Sequence, residues 1–201
     1  LTGADLNARV NQVLMSTATI ALNDEGNPYS PRKQGAGLAG IADAINAESF
    51  ITVKDSEGKV RDKTKIELFD DKTKKGVYEF EFVINNISGK VEEYDPTVHV
   101  MTETLASDNK TVAEKAYMLS DSNIEYYVDG AKHTGHITVG ANMTTTVKVR
   151  ITLSQAAREY LDKSFKNGMY VEGFVSLKGV DTTKVTIGLP YLAFYGDWTA
   201  A

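Results

Sequence analysis

The chain has 201 residues, a formal net charge of -5 and 42% apolar residues, which is the composition of an ordinary globular protein. Its lysine run at residues 72–75 lies beside Asp70 and Asp71, so the local charge nearly cancels, which with the negative net charge argues against partners such as nucleic acid or an anionic membrane. The absence of cysteine excludes disulfides, zinc ribbons and thiol nucleophiles, and no stretch is apolar enough to span a membrane. Because the sequence opens at Leu1 without an initiator Met or a signal peptide, we expect it to be a piece of a longer protein.

The first 47 residues have a helical pattern. Apolar and small residues recur at three- and four-residue spacing and predict an amphipathic helix, with Thr2 and Asp5 as a capping box. The stripe consists of Leu6, Val10, Val13, Leu14, Thr17, Ala18 and Ala21. A turn at residues 23–28 ends this helix, residues 30–34 form a rigid polar connector, and the small residues at 35–47 predict a second, short helix.

From about Phe50 onward the apolar period changes to two, which is typical of strands. The regions that alternate are residues 77–84, 97–101, 147–151, 171–177 and 185–194. Several short strands separated by turn residues predict an antiparallel β-sandwich and a mainly β fold. One helix interrupts them at residues 154–165, with Ser154 as its N-cap, and the polar stretch 104–138 fits no pattern.

A glycine-rich segment at residues 35–40 spells G-x-G-x-x-G. A dinucleotide site needs an apolar strand directly before these glycines, so that a helix N-terminus is aimed at the pyrophosphate. The preceding residues 30–34 are polar and contain Pro31, so no strand is expected there. We therefore interpret the glycines as a site of close packing and predict no bound cofactor.

Three groups of polar residues suggest metal ions or glycans. His133 and His136 lie close together, but two imidazoles alone make a poor metal site, and the remaining histidine is His99. Residues 23–27 and 121–123 carry oxygen ligands without the EF-hand spacing, so we predict turns, with calcium as the alternative. The glycosylation sequons are Asn86, Asn109 and Asn142. The predicted set of metal ligands is empty.

No serine stands in a G-x-S-x-G or G-T-S context, so we predict no catalytic residue and no activity for this chain alone. Aromatic residues are frequent near the C-terminus: Phe165, Tyr170, Phe174, Tyr191, Phe194, Tyr195 and Trp198. We interpret them as the core and covering edge of the sandwich, with a carbohydrate-binding platform as the alternative.

The order of these segments resembles the subtilisin-like cell-envelope serine proteinases of Gram-positive bacteria. The likeness rests on a helix ending L-M-S-T-A at residues 14–18, on S-P-R-K-Q-G-A-G-L at 30–38, and on two later segments. Those later segments are K-N-G-M-Y-V-E-G-F-V at 166–175 and L-P-Y-L-A-F-Y-G-D-W at 189–198. In that family a fibronectin type III-like module follows the peptidase domain.

The resemblance implies that residues 1–47 are the C-terminal remnant of a subtilisin-like α/β domain. Residues 48–201 would then form a fibronectin III/Ig-like β-sandwich that supports the peptidase domain and helps to bind protein substrates. It places the Asp-His-Ser triad upstream of Leu1 and the parent enzyme outside the cell, at the cell wall or surface. The implied partners are the rest of the peptidase domain and the enzyme's protein substrates. From their polarity and length, we expect the loops at 88–95 and 104–115 to contact such substrates.

Two expectations remain open at this stage. The N-terminal helix has an apolar stripe that is costly to leave in water, so we expect it to dock on its own sandwich or on another copy in a homodimer. The alternative function is a stand-alone adhesive or carbohydrate-binding β-sandwich module without a peptidase parent.

Overall fold

The computed structural model describes residues 3–200 and, of Glu114, the backbone only. Its helices are α1 Gly3–Ser16, α2 Pro31–Gln34, α3 Ile41–Asn46 and α4 Gln155–Ser164. Its strands are β1 Ser49–Thr52, β2 Ile66–Asp70, β3 Val77–Asn86, β4 Glu92–Leu105, β5 Val112–Met118, β6 Asn123–Val128, β7 Ala131–His133, β8 Ile137–Val139, β9 Thr144–Thr152, β10 Met169–Gly179 and β11 Ile187–Tyr195. Within residues 3–200 no helix combines the length and the apolarity needed to cross a membrane.

The strands form two sheets that enclose the core. One has the order β1-β3-β9-β6-β7, and the other has the order β2-β11-β10-β4-β5, with β8 paired to β4. Neighbouring strands are antiparallel except β11 and β2, which run parallel. The predicted mainly β, antiparallel sandwich is therefore confirmed, with one parallel pair at the edge of the second sheet.

The inner faces of the sheets carry the apolar residues that the period of two predicted. On β3 the buried apolar residues are Tyr78, Phe80, Phe82 and Ile84, while Val77 points outward. Successive side chains of a strand alternate between its faces, so Tyr78 and Val77 lie on opposite sides of the sheet. Phe80 stacks on Tyr191 of the opposite sheet with ring centroids 5.3 Å apart.

Helix α4 forms at the predicted place, Gln155–Ser164, and packs against the core. The side chain of Ser154 accepts a hydrogen bond from the backbone N of Ala157 at 3.0 Å, which is the expected N-cap geometry. Leu161 and Phe165 are buried in the main core cluster. Each such large apolar side chain stabilises the fold by about 1.5–3 kcal/mol relative to exposure.

The polar stretch 104–138 is built of short strands rather than loops. It contains the end of β4, all of β5 to β7, and the start of β8. The two segments predicted to be substrate-binding loops are correspondingly shorter than expected, because β4 already begins at Glu92 and β5 at Val112. Of the two predicted loops, only the turns at residues 87–91 and 106–111 lie outside the strands.

Helix α1 forms at the predicted place but ends at Ser16, so the predicted continuation through Ala21 to the turn at residues 23–28 was wrong. The helix docks on the sandwich through its polar face. Ser16 accepts from the backbone N of Ile51 at 2.8 Å, and Gln12 donates to the backbone O of Arg61 at 2.8 Å. Leu6 and Val10, which were predicted to be covered, are each 47% exposed. The proposed capping box involves Thr2, which lies outside the described residues.

The prediction of one short helix over residues 35–47 was too long, since only Ile41–Asn46 is helical. Residues 35–40 instead run beside the end of α1, where Leu38 and Thr19 exchange backbone hydrogen bonds of 2.8 and 2.9 Å. Gly37 has a φ of 121°, and a Cβ there would lie 2.4 Å from the backbone O of Thr19. The glycine thus allows a close approach of two backbones, in agreement with the packing interpretation of G-x-G-x-x-G.

Candidate functional site

The strongest polar contact between the N-terminal segment and the sandwich is made by Arg32. Its Nε donates to Glu172 Oε2 at 2.9 Å and its Nη2 to Glu172 Oε1 at 3.0 Å, which is a bidentate pair. Nη2 also binds the carboxylate of Glu103. The side chains of Glu172 and Glu103 are only 2% and 8% exposed. We call Arg32, Glu103, Glu172 and Tyr170 the Arg32 clamp.

The clamp brings one cation to two buried carboxylates, so Arg32 hydrogen-bonds both of them and compensates one of their two negative charges. Burial lowers the pKa of Arg32, but its contacts with Glu172 and Glu103 raise it more, so the net pKa lies above the ordinary value. The guanidinium also lies over the ring of Tyr170, 4.2 Å from its centroid. The side chain is thereby fixed by hydrogen bonds, charge and stacking at once.

Local sequence explains how each partner reaches the clamp. Ser30 caps α2 by accepting from the backbone N of Arg32 at 3.1 Å, and Pro31 starts the helix. Glu172 lies on the central strand β10, between Met101 of β4 and Leu192 of β11. The polar connector at residues 30–34 was predicted only as a rigid linker. Through Arg32 it also helps to hold the N-terminal segment to the sheet.

Gly173, next to Glu172, is required by the packing of β10 against β4. A Cβ at this position would lie 1.8 Å from the backbone O of His99. The same carbonyl accepts a hydrogen bond from the Tyr191 hydroxyl at 2.8 Å. The motifs V-E-G-F and L-P-Y thus meet at one point of the sheet, directly beside the clamp.

Two further contacts fix the segment that follows α1. Gln34 exchanges hydrogen bonds with the backbone of Ala21, at 2.7 and 3.1 Å, which joins α2 to the chain leaving α1. Lys184 binds the carboxylate of Glu48 and, at 3.1 Å, that of the buried Glu92. Together with the clamp they anchor both ends of the stretch from 30 to 48.

Several large hydrophobic side chains of the N-terminal segment are exposed. On α3, Ile41 and Ile45 are 75% and 77% exposed and lie one helical turn apart. We define the N-terminal apolar surface as the exposed large hydrophobic residues of this segment: Leu6, Val10, Leu22, Tyr29, Leu38, Ile41 and Ile45. Of the seventeen exposed large hydrophobic residues in the described part of the chain, seven fall within residues 6–45, an excess that favours a contact surface in this segment.

The predicted histidine and calcium candidates are not brought together as metal sites. His133 contacts the backbone O of His136 at 2.7 Å, and His136 binds Asp95, while His99 lies on β4 where burial lowers its pKa. Asn23 accepts from two backbone N–H groups of its own turn. In the part of the chain that the structure describes, no group of three or more His, Cys, Asp or Glu side chains is placed to hold a metal.

The sequons differ in accessibility. Asn86 is buried, and its amide donates to the backbone O of Lys90 and of Gly140 at 2.7 and 3.0 Å, so it cannot carry a glycan without unfolding this turn. Asn109 and Asn142 are exposed at turns with positive φ. The sequon at 86 is therefore a structural turn residue.

Most of the aromatic residues near the C-terminus belong to the core, as interpreted. The buried ones are Phe165, Phe174, Tyr191, Phe194 and Tyr195. Tyr170, which belongs to the clamp, is half-buried, and Trp198, whose ring packs against that of Tyr170, is exposed. Sequence reasoning missed the clamp itself, because its members lie up to 140 positions apart and only the sheet register joins them.

A protein-family model described as an Fn3-like domain matches residues 66–192. The C5a peptidase of Streptococcus pyogenes serotype M3 is 30% identical over 188 residues, which cover 93% of this chain and 14% of that protein. The PI-type proteinase of Lactococcus lactis subsp. cremoris is 31% identical over 209 residues, which cover 98% of this chain and 10% of that protein. The resemblance to cell-envelope proteinases predicted from the two motifs is thus confirmed, and the chain spans about a seventh or less of the length of these relatives.

Among solved structures, a family 123 glycoside hydrolase from Clostridium perfringens has a similar fold over 75% of this chain and 28% of its own. The TM-score is 0.46 at 9% sequence identity. At that level the likeness carries no argument about function.

Proposed function

Since the chain belongs to the Fn3-like domain family, we propose that it is the accessory module of a secreted subtilisin-like serine endopeptidase of the cell surface. In this proposal residues 1–47 are the C-terminal end of the peptidase domain and residues 48–201 are the fibronectin type III-like sandwich. The similarity to the two proteinases extends over more than nine tenths of the chain, and hence beyond the residues that the Fn3-like model matches, which supports including the N-terminal segment.

The observation that carries the proposal is the N-terminal apolar surface. Burying a large apolar side chain is worth about 1.5–3 kcal/mol, so a segment that exposes several of them is poorly accounted for as a free surface. The polar face of α1 is already occupied by the sandwich through Gln12 and Ser16. The remaining face, with Leu6, Val10 and the isoleucines of α3, is left for the rest of a peptidase domain.

The sandwich then acts as a rigid support. The Arg32 clamp fixes the last segment of the peptidase domain against β4 and β10, and the Lys184 contacts hold Glu48, where the sandwich begins. Turns on a rigid sandwich are natural contact surfaces for large protein substrates, and those at residues 87–91 and 106–111 are the candidates. The chain contributes no catalytic residue in this proposal, because the triad belongs to the part of the enzyme that precedes it.

The proposal is tested by reading the coding sequence that precedes residue 1. We expect it to encode a peptidase domain with Asp, His and Ser in that order, the serine in a Gly-Thr-Ser-Met segment. A natural gene product that starts at residue 1, or an upstream region without these three residues, would contradict the proposal. It would favour the stand-alone adhesive or carbohydrate-binding module instead.

A homodimer through α1 is the second way to cover the same apolar residues. Leu6 and Val10 lie on the free side of the helix and would meet their counterparts across a two-fold axis. Sedimentation separates the two possibilities, since a chain that is monomeric at high micromolar concentration has no such dimer.

A further inference from the structure

One edge of the first sheet is only partly covered. Strand β3 spans Val77–Asn86, but β1 pairs only with its residues 83–86. On the side away from β9, residues 77–82 pair with no other strand in the described part of the chain. We call residues 77–82 the β3 edge. At the usual rise of a strand it is about 20 Å long, which is enough to pair with a short extended segment.

The hydrogen-bonding groups of β3 point alternately to its two sides, as in any antiparallel strand. Even-numbered residues face β9, as the bond from Leu153 N to Gly76 O at 2.8 Å shows at the start of the strand. Odd-numbered residues face the other way, as the bond from Ile87 N to Glu48 O at 2.9 Å shows just beyond its end. The register with β9 is continuous from Val77 to Asn85, so this alternation holds throughout β3.

The backbone groups of Glu79 and Glu81 therefore face away from β9, and they make no hydrogen bond with another described residue on that side. The neighbouring part of the sheet edge is closed by side chains. On β1 the backbone N of Ile51 donates to Ser16 Oγ at 2.8 Å, and its backbone O accepts from the Thr64 hydroxyl at 2.9 Å. The chain thus closes this side of the sheet at β1 and leaves it open at the β3 edge. Unpaired backbone groups of this kind accept a further strand.

In front of the β3 edge lies a gap of about 340 Å³ between β3 and β2. Its apolar lining belongs to the core or packs against it: Val53, Ile66, Leu68, Phe80 and Phe82. Because side chains of a strand alternate between its faces, a strand added here would direct every second side chain towards this lining. The side chains between them would lie outside, beside Glu79 and Glu81.

Strand β9, on the other side of β3, shows which neighbours these glutamates accept. It directs valine and isoleucine side chains inward and sets Lys148 and Arg150 directly opposite Glu81 and Glu79. The contact of Arg150 with Glu79 is 3.6 Å, which is longer than a hydrogen bond. Lys148 lies over the ring of Tyr127, and Glu81 makes no ion pair with any described residue. Both carboxylates thus retain the capacity to accept from a cationic side chain on their free side.

We propose that the β3 edge binds an extended peptide as an antiparallel strand that continues the line of β1. Every second side chain of the peptide is apolar and faces the gap, and the residues between them are basic and lie opposite Glu79 and Glu81. Main-chain hydrogen bonds supply the affinity in this mode of binding, and the alternating side chains supply the specificity. The proposal depends on the sandwich alone, so it stands whether or not a peptidase domain precedes it.

The probe is acetyl-Val-Lys-Val-Arg-Ile-amide, which repeats the sequence of residues 147–151. Titrated into the 201-residue chain and followed by NMR, it should bind saturably with a Kd below about 1 mM. At a peptide concentration of ten times Kd, amide exchange of Glu79 and Glu81 should slow by about tenfold, since it then requires the peptide to dissociate. Exchange of Phe80, whose N–H faces β9, should stay the same. No saturable binding, or protection that leaves out Glu79 and Glu81, would overturn the proposal.

Modified peptides test the strand geometry. In an antiparallel pair the N–H groups of the lysine and the arginine face β3, whereas that of the central valine faces away from it. N-methylation of the lysine and arginine amides should therefore weaken binding by about tenfold or more, and N-methylation of the central valine by about twofold or less. Equal affinities of the two methylated peptides would contradict pairing through the backbone.

Variants of the protein test the position of the peptide. Replacing both glutamates, by Glu79→Lys and Glu81→Lys, should weaken the basic peptide by about fivefold or more and strengthen acetyl-Val-Glu-Val-Glu-Ile-amide. Glu93→Lys, which changes an exposed glutamate of β4 in the other sheet, should leave both affinities unchanged. The exchange of preference between the two peptides also distinguishes a local contact from a loss of stability. If the double variant keeps the preference of the unmodified chain, the peptide binds elsewhere and the proposal is wrong.

Discussion

Replacing Arg32 with alanine is expected to lower the free energy of unfolding by about 3 kcal/mol, the lower end of the range for breaking a buried ion pair. The substitution leaves the carboxylates of Glu103 and Glu172 without their shared cation, and both are almost fully buried. The lower end applies because the Arg32 side chain itself is 31% exposed, so solvent screens part of the interaction. Urea unfolding followed by circular dichroism measures the difference.

The matched control is Arg61→Ala. Arg61 pairs with Glu67 at 4.0 Å, and both side chains are well exposed, so its loss should change stability by about 0.5 kcal/mol or less. Arg32→Lys keeps the charge but not the bidentate geometry and should lie between the two. A loss below about 1 kcal/mol for Arg32→Ala would mean that the clamp does not hold the N-terminal segment.

Substituting alanine for Gly173 is expected to lower the free energy of unfolding by about 3 kcal/mol or more, which is at least as much as Arg32→Ala. The added Cβ would lie 1.8 Å from the backbone O of His99. That oxygen belongs to the paired strand β4, and neither backbone can move without breaking the register of β4 with β10. The Tyr191 hydroxyl, which binds the same oxygen, would be displaced too.

Gly89→Ala is the control for this prediction. A Cβ at Gly89 meets nothing within 4 Å, and its φ is not in the left-handed region, so the change should be close to neutral. Both variants are compared by thermal and urea unfolding. If Gly173→Ala unfolds within about 0.5 kcal/mol of the unmodified chain, the close strand contact described for it is wrong.

The parts of the fold that were predicted correctly have a local signal. The alternation on β3 and β9 and the serine N-cap of α4 are each contained in a few neighbouring residues. In contrast, β6 and β7 have no fully buried residue, so they carry no clear period of two and the stretch around them could not be assigned. A helical or strand-like period of apolar residues appears only where one face of the element is buried and the other is exposed to solvent.

The interfaces of the N-terminal segment were the hardest feature to predict. The apolar stripe of α1 was expected to face the sandwich or another copy of the chain. Within the chain, the sandwich instead offers backbone groups of Ile51 and Arg61, which bind Ser16 and Gln12. The Arg32 clamp joins residues that are distant in sequence, and charge pairing of this kind leaves no periodic trace. The motifs that carried the family resemblance nevertheless contain Arg32, Glu172 and Gly173, whose roles become clear only in the folded chain.

The central claim is that the N-terminal apolar surface is covered by the rest of a peptidase domain in the parent protein. Amide hydrogen exchange tests this directly, by comparing α1 and α3 in the 201-residue chain with the same helices in the full-length gene product. We predict that exchange in these helices slows by about tenfold or more in the full-length protein, while exchange in β9 and β10 stays the same. Equal exchange of α1 and α3 in both proteins would show that the surface remains uncovered and would contradict the account.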